Sequence, residues 1–132
     1  MFRGLERYSD FIYFLLRFVA GFLFACHGAQ KLFGVLGGTR AHAVRPIVAG
    51  CIELLAGPLI AFGLLTSLAA FIASGEMAFA YFLSHAPRDF WPIKNKGELA
   101  ATFCFLFLYI AARGAGGISL DHLICSRRRK GS

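Results

Sequence analysis

"PIVAGCIELLAGPLIAFGLLTSLAAFIASGEMAFAYFLSH", residues 46–85, decides the fold. Its acids are Glu53 and Glu76, and it holds no lysine or arginine. Apolar residues follow one another without the strict alternation of a half-buried strand. The length suits two crossings of a bilayer by helices of about 20 residues, and membrane-barrel strands need only about 9–11. Thr66 alone separates the two apolar runs, 46–65 and 67–85, so they are read as a tight helical hairpin at one membrane face.

Working outward, two further runs have the same character. "FIYFLLRFVAGFLFACHGAQKLF" covers 11–33 and "ELAATFCFLFLYIAAR" covers 98–113. Hydrophobic residues make up 58% of the 132 and charged residues 16%, against about 45–50% and about 25% in soluble domains. The surplus exceeds what one small core can bury, so lipid is the expected solvent. The fold class is all-α: an integral membrane four-helix bundle forming one domain over 1–132, with spans at about 11–33, 46–65, 67–85 and 98–113. The first run is read as a span and not as a cleaved leader, because it is long and contains Arg17 and Lys31.

Basic residues set the expected orientation. With four spans the termini share a side, which carries Arg3, Arg7 and the dense run Arg127, Arg128, Arg129 and Lys130. The other side has Arg40, Arg45, Arg88, Lys94 and Lys96, with Trp91 at the headgroup level. Both termini are therefore placed in the cytoplasm. The net charge of +7 is read as topology and anionic-lipid contact, not as nucleic-acid binding. The tail from Cys125 is read as polar and mobile. The four cysteines show no metal spacing and are read as free thiols.

Polar residues inside the spans carry the functional question, since a charge at mid-membrane costs about 2.5–3.5 kcal/mol on insertion scales. Depths follow from about 1.5 Å per residue. Arg17 and Glu76 fall at similar depth on the cytoplasmic side and are expected to form an intramembrane ion pair. His27 and Lys31 are four apart and share a helix face, and Glu53 falls near the depth of His27. These three are the candidate ligand pocket. Gln30, His85, Asn95 and Glu98 are secondary polar positions toward the same outer side. His27 and His85 lack any motif that fixes haem or metal geometry, so no metal site is assigned. Gly21, Gly28, Gly50 and Gly57 allow close helix approach, and Pro58 is expected to bend the second helix.

Three stretches together are family-specific: "LRFVAGFLFACHGAQKLFG", the hairpin with its sequel through "FWPIKNKGELA", and "FLYIAARGAGGISLD". The chain resembles the DoxX family of small bacterial membrane proteins from Phe11 to Asp121. The resemblance implies four helices in the bacterial inner membrane, a multi-pass topology, and association with quinol-oxidase and thiosulfate–quinone chemistry. It transfers no catalytic residue, and the chain contains no self-contained catalytic motif. The leading reading is a redox-linked subunit that binds quinone or another lipid-soluble carrier. Beside it stand a non-catalytic scaffold for a membrane enzyme and a small transporter. The expected partners are the bilayer and either a redox protein complex or further copies of the chain.

Overall fold

The structure, a computed structural model, describes residues 3–131. Met1, Phe2 and Ser132, which the single-domain reading includes, lie outside the described residues. The elements are α1 (Arg3–Glu6), α2 (Ser9–Phe33), α3 (Val44–Phe62), α4 (Thr66–Ala80), α5 (Pro92–Asn95), α6 (Glu98–Arg113) and α7 (Leu120–Lys130). A π-helical turn, Tyr81–His85, continues α4. Among the described residues there is no strand. Three helices are long and apolar enough to cross a membrane: Ser9–Phe33, Val44–Phe62 and Thr66–His85. α6 has 16 residues.

The helices form two interlocked pairs, α2 with α3 and α4 with α6, while α3 and α4 touch sparsely although consecutive. Glycines explain the first pair. A Cβ on Gly57 would lie 2.6 Å from the Gly21 carbonyl oxygen and 2.7 Å from the Ala25 amide nitrogen. A Cβ on Gly28 would lie 2.5 Å from the Leu54 amide nitrogen. The two backbones are therefore in direct contact, as small residues permit inside a bilayer. The second pair meets through Ala69, Ala70, Ala73 and Ala100, and the Ser74 hydroxyl donates to the Cys104 carbonyl at 2.7 Å. Between the pairs, Phe24 is wholly buried, with ring centroids 4.7 Å from Phe107 and 6.0 Å from Phe103.

The outward faces are the reverse of a soluble protein's. Leu55, Phe71, Phe79, Phe82 and Phe105 are each more than 60% exposed. A contiguous apolar exterior of this kind is stable only against lipid. Cys51 lies on this exterior, Cys26 and Cys104 are half-buried, and all four cysteines are free.

The hairpin turn differs from expectation. α3 stops at Phe62, because Gly63 takes a left-handed conformation (φ 74°) and caps it, and Leu64 and Leu65 complete the turn before Thr66. The run of hydrophobicity hid this boundary, since the turn is itself apolar. α3 continues through Pro58, whose ring leaves the Leu54 carbonyl without its helical partner. The basic tail is helical to Lys130.

The α3–α4 turn is held by the segment after α6. The Leu65 and Thr66 amides donate to the Asp121 carboxylate at 2.9 and 3.0 Å, and the Thr66 hydroxyl adds a third bond at 3.0 Å. Asp121 thus caps α4, whose own preceding residue, Leu65, has no capping oxygen. The Asp121 amide donates to the Gly63 carbonyl at 2.8 Å. Ser119 caps α7 by accepting from the His122 amide.

Candidate functional site

Arg17 is the first of the predicted residues to be relocated. Its guanidinium is wholly buried and does not pair with Glu76. Nε donates to the Ile60 carbonyl and one terminal nitrogen to that of Ile118, both at 2.8 Å. The other terminal nitrogen donates to the Ala115 carbonyl. The ion-pair expectation failed because the last turn of α3 and the 115–118 loop present carbonyls that no helix satisfies. A fork of guanidinium donors fits several such acceptors at once.

Glu76 lies instead toward the opposite end of the bundle. It lines a cavity of about 420 Å³ together with Lys31, Arg45 and Ser84. Its Oε2 is buried without a hydrogen-bond partner. Gly75 beside it faces open space, with no atom within 4 Å of where a Cβ would stand.

His27, Lys31 and Glu53 do meet. They share a second cavity of about 210 Å³ with Phe24, Phe103 and His85. The α2 spacing places His27 and Lys31 one turn apart on the face turned to α3 and α6. Lys31 Nζ donates to Glu53 Oε1 at 2.5 Å. The Glu53 side chain is 1% exposed, and its Oε2 has no partner. His27 sets its ring edge-on to Phe103, with centroids 6.3 Å apart. His85 comes from the π-helical turn, and its Nδ1 lies 3.1 Å from the Asn95 carbonyl oxygen. A carbonyl only accepts, so Nδ1 carries the proton, and Nε2 of the neutral ring is left as an acceptor.

The secondary positions divide between this chamber and its supports. Asn95 is buried and organises the loop before α6. Its amide donates to the Tyr81 hydroxyl and the Asp89 carbonyl, and its Oδ1 accepts from the Gly97 amide at 2.8 Å. Gln30 donates to the Leu36 carbonyl and holds the α2–α3 loop. Glu98 is exposed in the first turn of α6, where it complements the helix dipole. Asn95 and Gln30 support the loops, and none of the three lines either cavity.

Two residues gain a place that sequence reasoning did not give them. Lys96, an exposed residue with a left-handed backbone (φ 60°) between Asn95 and Gly97, stands at the rim of the smaller cavity. Arg45 lines the larger one from the start of α3. Both were counted only as orientation charges. The Asn-Lys-Gly-Glu order was the available signal for Lys96, since it breaks an apolar pattern just before a helix start.

Chemically, the chamber offers two cations, two imidazoles, one incompletely satisfied carboxylate and two aromatic faces. Side chains of these types can donate and accept hydrogen bonds and exchange protons.

Comparison with known proteins agrees with the architecture. The DoxX family model matches residues 12–86, which take in the α2–α3 glycine interface, Lys31, Glu53 and Glu76. A protein of Haemophilus influenzae, described as an uncharacterized protein, is 40% identical over 127 residues, covering 90% of this chain and 95% of its own length. No solved structure matches.

Proposed function

This chain belongs to the DoxX family of membrane proteins, and from that premise we propose that it is a redox-linked inner-membrane subunit that binds a quinone or quinol head in the His27–Lys31–Glu53 chamber. The observation that carries the reading is the unpartnered Glu53 Oε2. It is a carboxylate oxygen at 1% side-chain exposure, bordering a cavity, with its sister oxygen already held by Lys31. A buried acceptor left unmet costs about 1–3 kcal/mol. A quinol hydroxyl supplies the missing donor. Lys31 and Lys96 are the donors for a quinone oxygen, His27 exchanges the proton, and Phe24 and Phe103 cover the ring.

The finer topology belongs to the same proposal. α6 reaches about 24 Å at about 1.5 Å per residue, enough for a fourth span when the bilayer thins or flanking side chains reach outward. Four spans put both termini on the side of the Arg127–Lys130 cluster, in the cytoplasm. The multi-pass chain then sits in the bacterial inner membrane, alone or within a redox complex or homo-oligomer.

The test is titration of the purified protein with a short-tailed quinone, beside His27→Ala and Glu53→Gln. Under the proposal both variants keep their folded yield and bind the quinone about tenfold or more weakly. Unchanged binding in a well-folded double variant removes the chamber as a site and leaves the scaffold reading.

A further inference from the structure

The two cavities share two wall residues, Lys31 and Ala80. The smaller is the His27–Lys31–Glu53 chamber, which is itself open on the side of Lys96 and the exposed Leu99. The larger is built differently. Apart from Lys31, Arg45, Glu76 and Ser84, its lining is apolar, and it runs along the seam where α3 and α4 part. Its walls include Val48, Ile72, Phe79 and Leu83, each of which is also 45–70% exposed on the outer surface. Side chains that line a cavity and face the exterior at once mark a cavity open to the exterior, which here is lipid. Along α4 the lining runs from Ile72 to Ser84, about 18 Å at about 1.5 Å per residue. Gly75 keeps that length open, because it adds no side chain where nothing lies within 4 Å.

We propose that this groove is the lateral entrance and tail site for the chamber's ligand: a long-chain amphiphile, of the isoprenoid-quinone type, enters from the bilayer between α3 and α4, passes its head beyond Lys31, and leaves its chain along Ile72, Gly75 and Phe79. The inference rests on the quinone reading of the chamber and adds to it the tail requirement and the route. A chain in the groove covers apolar wall that α3 and α4 leave uncovered, and dispersion contact with a fixed wall replaces contact with mobile lipid. The groove is too apolar to hold a free polar ring by itself. The chamber is too small to enclose a head together with a long chain.

The experiment uses the full chain in phosphatidylcholine nanodiscs and two probes with one head, a dimethoxy-methyl-benzoquinone without a tail and its decyl-tailed analogue. Affinities are compared after correction for membrane partitioning. In the wild-type protein the tailed probe should bind about tenfold more tightly than the tail-less one. Gly75→Phe should abolish that advantage and leave tail-less binding unchanged. A tailed probe that binds Gly75→Phe as it binds wild type overturns the groove assignment. Should Gly75→Phe fail to fold, a decyl tail ending in a photoreactive diazirine decides the matter on the wild-type protein. Labelling of residues 46–52 and 72–83 supports the route, and labelling confined to the outer faces of α2 and α6 overturns it. If neither probe binds wild-type protein, the chamber reading itself fails and the entrance falls with it. Binding of both probes with no tail advantage leaves the chamber standing and removes only the groove.

Discussion

Arg17 and Glu76 illustrate how differently two buried charges are treated in one bundle. Arg17 has three carbonyl partners from α3 and the 115–118 loop, and its guanidinium also stands 5.7 Å from the centroid of the Phe14 ring. Hydrogen bonds to a charged group contribute about 1.5–3 kcal/mol each, and removing the group also strands its acceptors. Arg17→Met should therefore lower unfolding stability in detergent by about 3 kcal/mol or more, and Arg17→Lys should rescue little, since one ammonium cannot reproduce the planar fork. Glu76→Gln should cost less than about 1 kcal/mol, because that carboxylate has no partner to lose. Equal losses in the two variants, read from chemical denaturation, would contradict this account. The sequence could not reveal these partners. A search for opposite charges finds Glu76 readily, whereas the true acceptors are backbone carbonyls, which every residue carries. Lys31 and Glu53 were legible because their complementarity resides in side chains and their depths matched.

At the scale of elements, the α2–α3 pair depends on backbone contact. Gly57→Ala places a methyl group 2.6 Å from the Gly21 carbonyl oxygen, and both neighbours are backbone atoms that yield only if the helices separate. We expect a loss of about 1–3 kcal/mol, checked by thermal unfolding in detergent. Gly75→Ala, which meets nothing within 4 Å, should be neutral by the same measurement. The α3–α4 turn makes a separate prediction. Burial pushes the Asp121 carboxyl upward, but bonds from the Thr66 and Leu65 amides and the Thr66 hydroxyl, with the Arg17 charge, outweigh it and hold the value below the ordinary range. A carboxylate depressed on folding stabilises the protein fully above its unfolded value, about 3.9, and that stability is lost as pH falls through the lower folded value. Wild-type protein should lose stability in that acid window relative to Asp121→Ala, and parallel pH profiles would count against the cap. The glycines and the closing Gly-Ala-Gly-Gly-Ile-Ser-Leu-Asp run were visible in the sequence. Their purpose as a cap on a helix more than fifty residues earlier was not, because it is set by which helix ends the bundle brings together. The π-helical turn that aims His85 had no sequence signal, since its residues are as apolar as the helix they extend.

For the whole molecule, the all-helical fold and the lipid-facing surface were legible from composition and the length of the apolar runs; α6 covers Glu98–Arg113, and among the described residues three helices are long and apolar enough to cross a membrane. Orientation is checked by reporter fusions at Gly38 and Gly131, which should signal from opposite compartments. Matching signals would rule out an even number of crossings. The arrangement of the pairs has a mechanical consequence. Each pair's own connecting loop lies at the Lys31 end, whereas the chain passes between pairs only at Gly63–Leu65, where Asp121 fastens it. Arg113, close over the Tyr13 ring at 4.1 Å, and the Tyr13 hydroxyl bonded to the Gly114 carbonyl add to that fastening. The protein is thus a pair of tongs, pivoted at the Gly63–Asp121 end, whose jaws meet toward the other end through ring contacts of Phe24 and His27 with Phe103. From Thr66 to His85 the lever arm is about 30 Å. A rotation of about 5° at the pivot moves the far jaw by about 2.6 Å on that arm, while the pivot's own hydrogen bonds scarcely lengthen. For any such rotation the displacement is largest at the end where Lys31 stands, at the edge of both cavities.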